Sequence, residues 1–308
     1  MSWTFGSVAI VGAGAIGLYY GGRLAAAGEN VKFLLRSDFD EIQRNGLRCE
    51  SIHGDFAVPQ VQGFRRAEEI GPVDLVIVAW KATANTHLAE VLPPLLHADT
   101  QVLTLQNGLG NCEAIAAITG AERLLGGLCF VCLNRLSPGF VKHTAGGRIS
   151  VGEFSPDGRG LAAEIVRRFK AAHIPALIGE PLAEAQWKKL VWNIPFNGLS
   201  VAEGGVTTDR LLANPAIEAE IRALMAETIV AARAQGLGLG DELAEQNIEQ
   251  TRPMDAYRPS SMIDYLEGRE VEIGPIWAEP LRRAEAAGVA MPHLRKLLER
   301  IRERVRER

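Results

Sequence analysis

The sequence predicts an α/β protein whose first half is a parallel β-sheet with flanking helices and whose second half is helical. Three observations support this fold class. A glycine-rich turn joins an apolar run to a helical pattern near the N-terminus, buried-strand runs alternate with helices through the first half, and strand patterns disappear from Glu180 onward. Because 308 residues exceed one ordinary hydrophobic core, we expect two domains, residues 1–179 and 180–308.

The first element is a strand that ends in the glycine-rich turn. The stretch "SVAIVGAGAIG" is a β-branched, apolar run followed by Gly12, Gly14 and Gly17 in the spacing G-x-G-x-x-G. A helix that ends at Gly28 and a second strand, "NVKFLLR", come next. This strand–turn–helix–strand order indicates a Rossmann-type dinucleotide-binding domain, in which the three glycines permit a tight turn, close approach of a pyrophosphate and close helix packing.

The start of the first helix is the predicted phosphate site. Free backbone N–H groups and the helix dipole favour an anion at a helix N-terminus. The residues predicted to bind the cofactor there are Gly12, Gly14, Ala15, Ile16 and Gly17. The alternative is a glycine-rich turn in an α/β protein that binds no nucleotide.

The residue at the end of the second strand distinguishes the two nicotinamide cofactors. An NAD site expects an Asp or Glu here, which accepts a hydrogen bond from the ribose 2′-hydroxyl. This chain has Arg36 followed by Ser37, and a guanidinium can pair with a 2′-phosphate. We therefore predict NADP(H), with Asp38 keeping NAD as the alternative.

Two further buried strands end at polar residues. Lys81 follows "VDLVIVAW", and Gln106, Asn107 and Gly108 follow "QVLTL". Ligands of open parallel sheets bind beyond the carboxyl ends of the strands, so Lys81 and Asn107 are candidate site residues. Ordinary loop polarity is the alternative for each.

The rest of the first domain is predicted to be antiparallel. The runs "LLGGLCFVCL", "GFVKHT" and "RISVGE" are typical of strands around a turn at Pro138-Gly139. A helix over 158–171 and a strand over 175–179 complete the domain. Helical patterns then cover 181–203, 214–236, 241–250, 274–288 and 291–307. The last of these carries interleaved basic and acidic residues, which indicates a solvated, ion-paired surface helix.

Composition excludes several classes of protein. A net charge of -4 and a pI near 5.9 provide no basic field for nucleic acid. The pair Cys129 and Cys132 lacks the second pair that a zinc site needs, so we expect no metal and reduced thiols in a cytoplasmic protein. The uncharged segment 2–22 has no basic n-region and is interrupted by glycines, so we expect neither a signal peptide nor a membrane span.

One helix of the second half carries an unusual polar stripe. In "QWKKLVWNIPFN", Lys189, Asn193 and Asn197 recur every four residues in an otherwise apolar segment and share one ridge of the helix. Lys188 is rotated away from that ridge and is expected to reach solvent. The stripe is either a solvated helix face or part of a functional site.

The stretch "RPSSMIDYLEGREVEIG" is the second unusual feature. Ser260 and Ser261 precede Met262-Ile263, and Glu272 stands between two apolar residues. A carboxylate in such a setting is either a solvated edge position or a buried ligand-binding group.

Together these motifs resemble the 2-dehydropantoate 2-reductases, or ketopantoate reductases, over nearly the whole chain. The shared motifs are "GAGAIG", "LLR", Lys81, "LQNGLGN", "PGFVKH", "WKKLVWN" with a further Asn, Glu227, "RPSSM" and "EVEI". The glycine motif occurs in many families, whereas the Lys-x3-Asn-x3-Asn helix followed by Ser-Ser-Met is much more specific. The resemblance implies a Rossmann N-terminal domain, an all-α C-terminal domain and an active site in the cleft between them.

The resemblance also implies residue roles. It assigns the glycine turn, Arg36 and Lys81 to NADPH, and it places Asn107 near the nicotinamide and the substrate. Lys189 corresponds to the catalytic lysine. The residues implied to bind the substrate are Asn193, Asn197, Ser261 and Glu272. The resemblance also implies that Asn107 and Glu272 take part both in catalysis and in cofactor binding.

These roles agree with the chemistry of 2-oxo acid reduction. The reaction needs a hydride at C2 and a proton for the oxygen that becomes an alkoxide, which a charged Lys189 can supply. Glu272 can accept from a substrate hydroxyl and would discriminate against analogues that lack it.

The sequence departs from the family pattern at several positions. Pro195 lies between the two asparagines and is expected to kink the stripe. After Glu272, the family's acidic and Asn-Gly residues are replaced by Gly274-Pro275-Ile276. The spacing from Ser261 to Glu272 is about one residue short, and Thr207 or Thr208 stands where the family has another asparagine.

Three functions remain open from the sequence. The chain is a ketopantoate reductase that makes pantoate, a same-fold paralogue that reduces a different 2-oxo or hydroxy acid, or a non-catalytic NADPH-binding sensor. Its expected partner is a small-molecule 2-oxo acid, without nucleic acid or membrane, and a homodimer is the assembly considered.

Overall fold

A computed structural model of the chain describes residues 5–308 and contains two compact units. The first unit comprises Met1–Asn107 and Asn111–Leu182, and the second comprises Gly108–Gly110 and Ala183–Arg308. The first is an α/β unit and the second is helical, which confirms the predicted fold class. The boundary predicted between residues 179 and 180 stays a prediction.

In the part of the chain that the structure describes, the first unit is built on one mixed sheet of ten strands. The strands are β1 (Val8–Val11), β2 (Val31–Leu34), β3 (Leu47–Ser51), β4 (Phe56–Val58), β5 (Gln62–Phe64), β6 (Leu75–Val78), β7 (Gln101–Thr104), β8 (Leu124–Ser137), β9 (Phe140–Glu153) and β10 (Ala176–Ile178). Its helices are α1 (Ala15–Ala26), α2 (Phe39–Asn45), α3 (Ala67–Ile70), α4 (Leu88–Val91), α5 (Asn111–Thr119) and α6 (Ala162–Ala171).

Within residues 5–308, six neighbouring strands of the sheet pair in parallel in the order β5-β2-β1-β6-β7-β8. This is the strand order of the doubly wound dinucleotide-binding fold, in which the connections reverse direction beside the first strand. Ligands of such sheets bind outside the carboxyl ends of the strands at that reversal. The end of β1 therefore marks the expected binding edge.

The antiparallel part of the unit is a long hairpin. Strands β8 and β9 pair in antiparallel fashion across the predicted turn at Pro138-Gly139, and Gly139 adopts a φ of 69°. The predicted strands "GFVKHT" and "RISVGE" are one continuous strand, because pairing with β8 continues past Gly146 and Gly147 through an irregular register. Helix α6 begins at Ala162 rather than at residue 158, after Gly160 with its φ of 69°.

The second unit is a bundle of helices. They are α7 (Leu182–Ala202), α8 (Thr208–Leu212), α9 (Pro215–Arg233), α10 (Glu242–Thr251), α11 (Ser260–Leu266), a π-helix (Gly274–Ala278), α12 (Glu279–Ala286) and α13 (Pro292–Arg306). Short 3₁₀-helices occur in the chain at Ala82–His87, Pro93–Leu95, Ala121–Arg123 and Arg252–Met254. The predicted helices are present, whereas α8, α11 and the π-helical start of the 274–288 segment are additional findings.

Helix α7 is continuous through Pro195. Pro195 has no N–H to donate to the carbonyl one turn earlier, so the helix loses one hydrogen bond there. The indole Nε1 of Trp277 donates to the carbonyl of Ile194 at 2.9 Å, which ties the π-helical segment to the same turn. Pro195 therefore does not end the helix, and the predicted kink stays a prediction.

Each unit has its own hydrophobic core. Aliphatic and aromatic side chains from α1, the sheet and α6 form the first, and Trp187, Phe196 and Trp277 are among the largest fully buried side chains of the second. Across residues 5–308 there is no helix both long enough and apolar enough to span a membrane. The first residues of the uncharged segment 2–22 lie outside the described part of the chain.

A buried histidine links β9 to β3. The side chain of His143 is 2% exposed, its Nδ1 lies 2.8 Å from the Ser51 hydroxyl, and its Nε2 lies 3.0 Å from the Ala145 carbonyl. A neutral ring satisfies both contacts, since Nε2 can donate while Nδ1 accepts. Burial is the main cause that lowers the pKa of His143 below its usual value, and the charges of His53 and Arg23 act in the same direction.

We expect His143 to make the protein less stable in mild acid. Its folded-state pKa lies below its ordinary value of 6.5, so below about pH 6.5 the unfolded chain binds more protons than the folded one. The stability that depends on the neutral ring is therefore fully present above that pH and is lost as the pH falls toward the folded-state pKa. Thermal unfolding midpoints should fall less between pH 7.5 and 5.5 in His143→Gln than in the wild type.

His87 provides the control for this measurement. Its side chain is 64% exposed, so His87→Gln should leave the acid-induced drop unchanged. An equal drop in wild type and His143→Gln would contradict the assignment.

Candidate functional site

The glycine turn closes tightly at the end of β1. Gly12 has a φ of 102°, and a Cβ atom there would lie 2.2 Å from the backbone nitrogen of Trp80. A Cβ atom on Gly17 would lie 2.1 Å from the Gly12 carbonyl oxygen. Both positions therefore exclude any side chain, which explains two of the three glycines in physical terms.

The start of α1 is open toward an anion. A Cβ atom at Gly14 would meet nothing within 4 Å among residues 5–308, and in the same part of the chain no side chain caps the helix. The N–H groups of Ala15, Ile16 and Gly17 belong to the first turn, where α-helices have no internal acceptor. This twelve-residue helix can therefore receive a pyrophosphate at its N-terminus, as the sequence predicts.

The end of β2 presents an exposed arginine and an ion-paired aspartate. Arg36 is exposed and, within residues 5–308, has no acidic partner. The side chain of Asp38 is 5% exposed, and its two oxygens accept from the Ser37 hydroxyl at 2.9 Å and from Arg135 Nη1 at 2.7 Å. Because its side chain is buried and each oxygen already has a donor, Asp38 is poorly placed to accept from a ribose hydroxyl.

Lys81 and Asn107 follow neighbouring strands. In the parallel register, Val11 of β1 aligns with Val78 of β6, and Val78 aligns with Thr104 of β7. The glycine turn, Lys81 and Asn107 therefore leave the sheet at the same edge, beyond three adjacent strands. The structure thus brings together the residues that the sequence predicted for the first unit.

An amide network, which the sequence patterns did not reveal, holds this edge. The side-chain oxygen of Asn85 accepts from Trp80 Nε1 at 3.1 Å and from Gln106 Nε2 at 2.7 Å. Asn85 Nδ2 donates to Asn111 Oδ1 at 2.9 Å, and Asn111 Nδ2 donates to the Asn107 carbonyl at 2.8 Å. Asn85 therefore connects the segment after β6 to the Asn107 loop. The only sequence signal was a cluster of amide residues after two strands.

The polar stripe on α7 is largely buried. Asn193 and Asn197 are 7% and 2% exposed, and Asn197 Nδ2 lies 3.4 Å from Asn193 Oδ1. These values rule out a solvated face for the two asparagines. Lys189, one turn before Asn193, is half-buried. Lys188 forms an ion pair with Glu184 at 2.9 Å and is 29% exposed, so it reaches solvent only in part.

Asn197 also holds the start of α11. Its Oδ1 accepts from the backbone N–H of Ser261 at 3.0 Å and lies 3.4 Å from the Ser260 hydroxyl. Ser261 is buried at 2% exposure. Asn193, Asn197 and Ser261, which are far apart in the sequence, therefore form one cluster in the second unit.

Glu272 precedes the π-helix and is half-buried. Within that helix, the indole N–H of Trp277 donates a hydrogen bond to the Ile194 carbonyl of α7. On the other side, Leu109 N–H donates to the Pro275 carbonyl at 2.9 Å. The segment that follows Glu272 is thus fixed at both ends within the second unit.

In residues 5–308, no group of three or more His, Cys, Asp or Glu side chains is arranged to hold a metal ion. Cys129 and Cys132 both lie in β8, as the strand pattern predicts. The predicted lack of a metal stays a prediction.

Known proteins match the chain over nearly its full length. The family model "Ketopantoate reductase PanE/ApbA" matches residues 8–156, and the model "Ketopantoate reductase PanE/ApbA C terminal" matches residues 182–305. A 2-dehydropantoate 2-reductase from Nostoc sp. is 39% identical over 291 residues, which cover 93% of this chain and 91% of the relative.

Solved structures agree with this match. A 2-dehydropantoate 2-reductase from Geobacter metallireducens has a TM-score of 0.94 at 45% identity, covering 96% of this chain and 99% of that one. A D-mandelate dehydrogenase has a TM-score of 0.90 at 21% identity, covering 98% of this chain and 99% of that one, and this likeness concerns the fold alone. The chain belongs to the ketopantoate reductase family and is an oxidoreductase.

The amide network yields a stability prediction. Asn85→Ala should lower the free energy of unfolding by about 1–3 kcal/mol, because the donors of Trp80 and Gln106 and the acceptor of Asn111 lose their partner. Urea unfolding followed by circular dichroism measures the change. Gln62→Ala is the matched control, since the bond from Gln62 to Asn30 is exposed, and it should stay within about 0.5 kcal/mol of wild type. Equal effects of the two substitutions would show that the network adds little.

Proposed function

We propose that this member of the ketopantoate reductase family reduces 2-dehydropantoate to pantoate with NADPH, using Lys189 as the proton donor. The observation that carries the proposal is the buried cluster formed by Asn193 and Asn197, on the α7 ridge of Lys189, with Ser261 of α11. Burying polar side chains costs free energy, so an apolar core would favour apolar residues at these positions. A cluster of amide and hydroxyl groups there suits the binding of a polar substrate.

The first unit fits NADPH. The tight turn at Gly12 and Gly17 and the open N-terminus of α1 suit a pyrophosphate, and an Arg36 without an acidic partner among residues 5–308 suits a 2′-phosphate. Lys81 and Asn107, at the same sheet edge, are proposed to contact the rest of the cofactor. When bound, NADPH supplies the hydride for C2 of the substrate.

Lys189 is proposed to act on the substrate's 2-oxo oxygen. Its ammonium group donates a hydrogen bond to that oxygen, stabilises the negative charge that develops there, and then transfers a proton to it. Half-burial strengthens this attraction relative to bulk water, because the effective dielectric constant is lower. Asn193, one turn further along, would keep the lysine and the substrate at a fixed geometry.

Ser261 and Glu272 are proposed to bind the ends of the substrate. Ser261 uses its backbone N–H for Asn197, so its hydroxyl is not needed for that bond and can donate to the substrate carboxylate. Glu272 would accept from the substrate hydroxyl, with Asn107 close to the reacting carbon. A carboxylate left unpaired would discriminate against substrates that lack the hydroxyl.

A second candidate is a same-fold paralogue that acts on a different 2-oxo or hydroxy acid. It is favoured by the segment after Glu272, where Gly274–Ala278 forms a π-helix instead of carrying the family's acidic and Asn-Gly residues. A non-catalytic NADPH sensor is the third reading, and the buried polar cluster argues against it. The homodimer, the cytoplasmic location and the absence of a nucleic-acid partner stay predictions.

A substrate panel tests the proposed function. NADPH oxidation should be fastest with 2-dehydropantoate and much slower with 2-oxo-3-methylbutanoate, which has no hydroxyl, or with an aryl 2-oxo acid. Glu272→Gln should raise KM for 2-dehydropantoate and change KM for the acid without the hydroxyl much less. Preference for another 2-oxo acid would support the paralogue, and no oxidation with any acid would support the sensor.

Lys189 and Lys188 make a matched pair of variants. Lys189→Ala should lower turnover by roughly two to four orders of magnitude, the range for losing a positioned acid or oxyanion partner, and should leave NADPH affinity unchanged. Lys188→Ala removes a partly exposed ion pair and should keep turnover within about twofold. Steady-state kinetics and NADPH titration decide between them. Near-normal turnover in Lys189→Ala, or an inactive Lys188→Ala, would refute the assignment.

A further inference from the structure

The β8–β9 hairpin carries a second arginine to the end of β2. Arg135 lies on β8, close to the hairpin turn, and its Nη1 donates to Asp38 Oδ2 at 2.7 Å. The hairpin turn is fixed to the start of β3, where the Arg48 N–H donates to the Gly139 carbonyl at 2.9 Å. Arg135 is therefore held beside the segment that an NADP site uses for its 2′-phosphate.

Arg135 is only partly used by this ion pair. Its side chain is 41% exposed, whereas that of Asp38 is 5% exposed. A guanidinium has five N–H donors in a planar fork, and the bond to Asp38 occupies one of its terminal nitrogens. The remaining donors can therefore reach a second anion without breaking the contact with Asp38.

Asp38 needs a cation in this position. A buried carboxylate is costly when unpaired, and it would repel a dianionic phosphate close to Arg36. By engaging Oδ2, Arg135 compensates the charge of Asp38 and occupies one acceptor site of its carboxylate.

We propose that Arg135 is a second specificity-determining residue for NADPH, acting with Arg36 on the adenosine 2′-phosphate and compensating the charge of Asp38, which would otherwise repel that phosphate. This inference rests on the NADPH preference in the proposed function. With both arginines, the group of Arg36, Arg135 and Asp38 carries a net charge of one positive unit, and without Arg135 it carries none. Loss of Arg135 should therefore weaken NADPH binding and leave NADH binding intact.

A structural role would give a different result. If Arg135 only fixes the hairpin to the β2–α2 connection, its removal disturbs the whole adenosine end. Both cofactors carry the same adenosine and pyrophosphate, so both would lose affinity to a similar degree. The ratio of the two dissociation constants therefore separates charge recognition from scaffolding.

Calorimetric titration of the full chain with NADPH and with NADH, without substrate, is the test. Arg135→Ala should raise the Kd for NADPH roughly tenfold or more, as expected for a lost charge-assisted contact, and should change the Kd for NADH less than about twofold. Arg148→Ala is the control, since Arg148 lies on the same hairpin, is exposed and packs on Phe130. It should leave both constants within about twofold of wild type.

A double variant isolates the role of Asp38. In Arg135→Ala/Asp38→Asn the uncompensated carboxylate is gone, so part of the lost NADPH affinity should return relative to Arg135→Ala. If Arg135→Ala alone does not fold, the two dissociation constants of the double variant can still be compared with those of the wild type. Equal loss of both cofactors in Arg135→Ala, unchanged NADPH affinity in that variant, or no recovery in the double variant would overturn the inference.

Arg36→Ala separates this inference from the proposed function. It should raise the Kd for NADPH and spare NADH, whatever Arg135 does. Equal binding of both cofactors by the wild type, together with no effect of Arg36→Ala, would refute the NADPH preference itself. A normal response of Arg36→Ala with no effect of Arg135→Ala would refute only the role of Arg135.

Discussion

The parallel register of β1, β6 and β7 is the constraint on which the first unit depends. Since Val11, Val78 and Thr104 align across these strands, the chain must leave the sheet three times at one edge. Each exit places different chemistry there: a glycine-rich turn, a lysine and an asparagine. A shift of one strand by one residue would exchange the two faces of that strand and separate these groups.

The helical half depends on a single amide in a similar way. Asn197 accepts from the backbone of Ser261 and lies against Asn193, so one side chain joins two helices that are 64 residues apart in the chain. Such a bond is costly to break in a buried setting, because it leaves polar groups without partners. Rigidity of this cluster suits the substrate site proposed for it, since proton transfer demands fixed geometry.

The features that could be predicted from the sequence are those encoded by local patterns. The glycine turn, Arg36, the stripe of α7 and most long helices follow from spacing and periodicity within short segments, and the structure has them in the predicted places. The Arg135–Asp38 pair, 97 residues apart, and the links from Asn85 to Gln106 and Asn111 depend on how distant strands align, which no periodicity encodes. The strands β3, β4 and β5 were missed because their sequences, LRCES, FAV and QGF, lack the continuous apolar run that marks β1 and β6. Helix α11, with seven residues, is too short for a helical period to emerge.

The pairing of β3 with β9 has a consequence for the order of folding during translation. Strand β3 emerges from the ribosome early, yet one of its two neighbours, β9, is synthesised some ninety residues later, as the alignment of Arg48 with Phe140 shows. Until then the ribbon of β3 and β4 presents an unpaired edge, which is the kind of surface that invites association with other chains. The long loop that must close also slows folding of the sheet. The nascent chain is therefore most exposed to aggregation in the interval before the hairpin is complete.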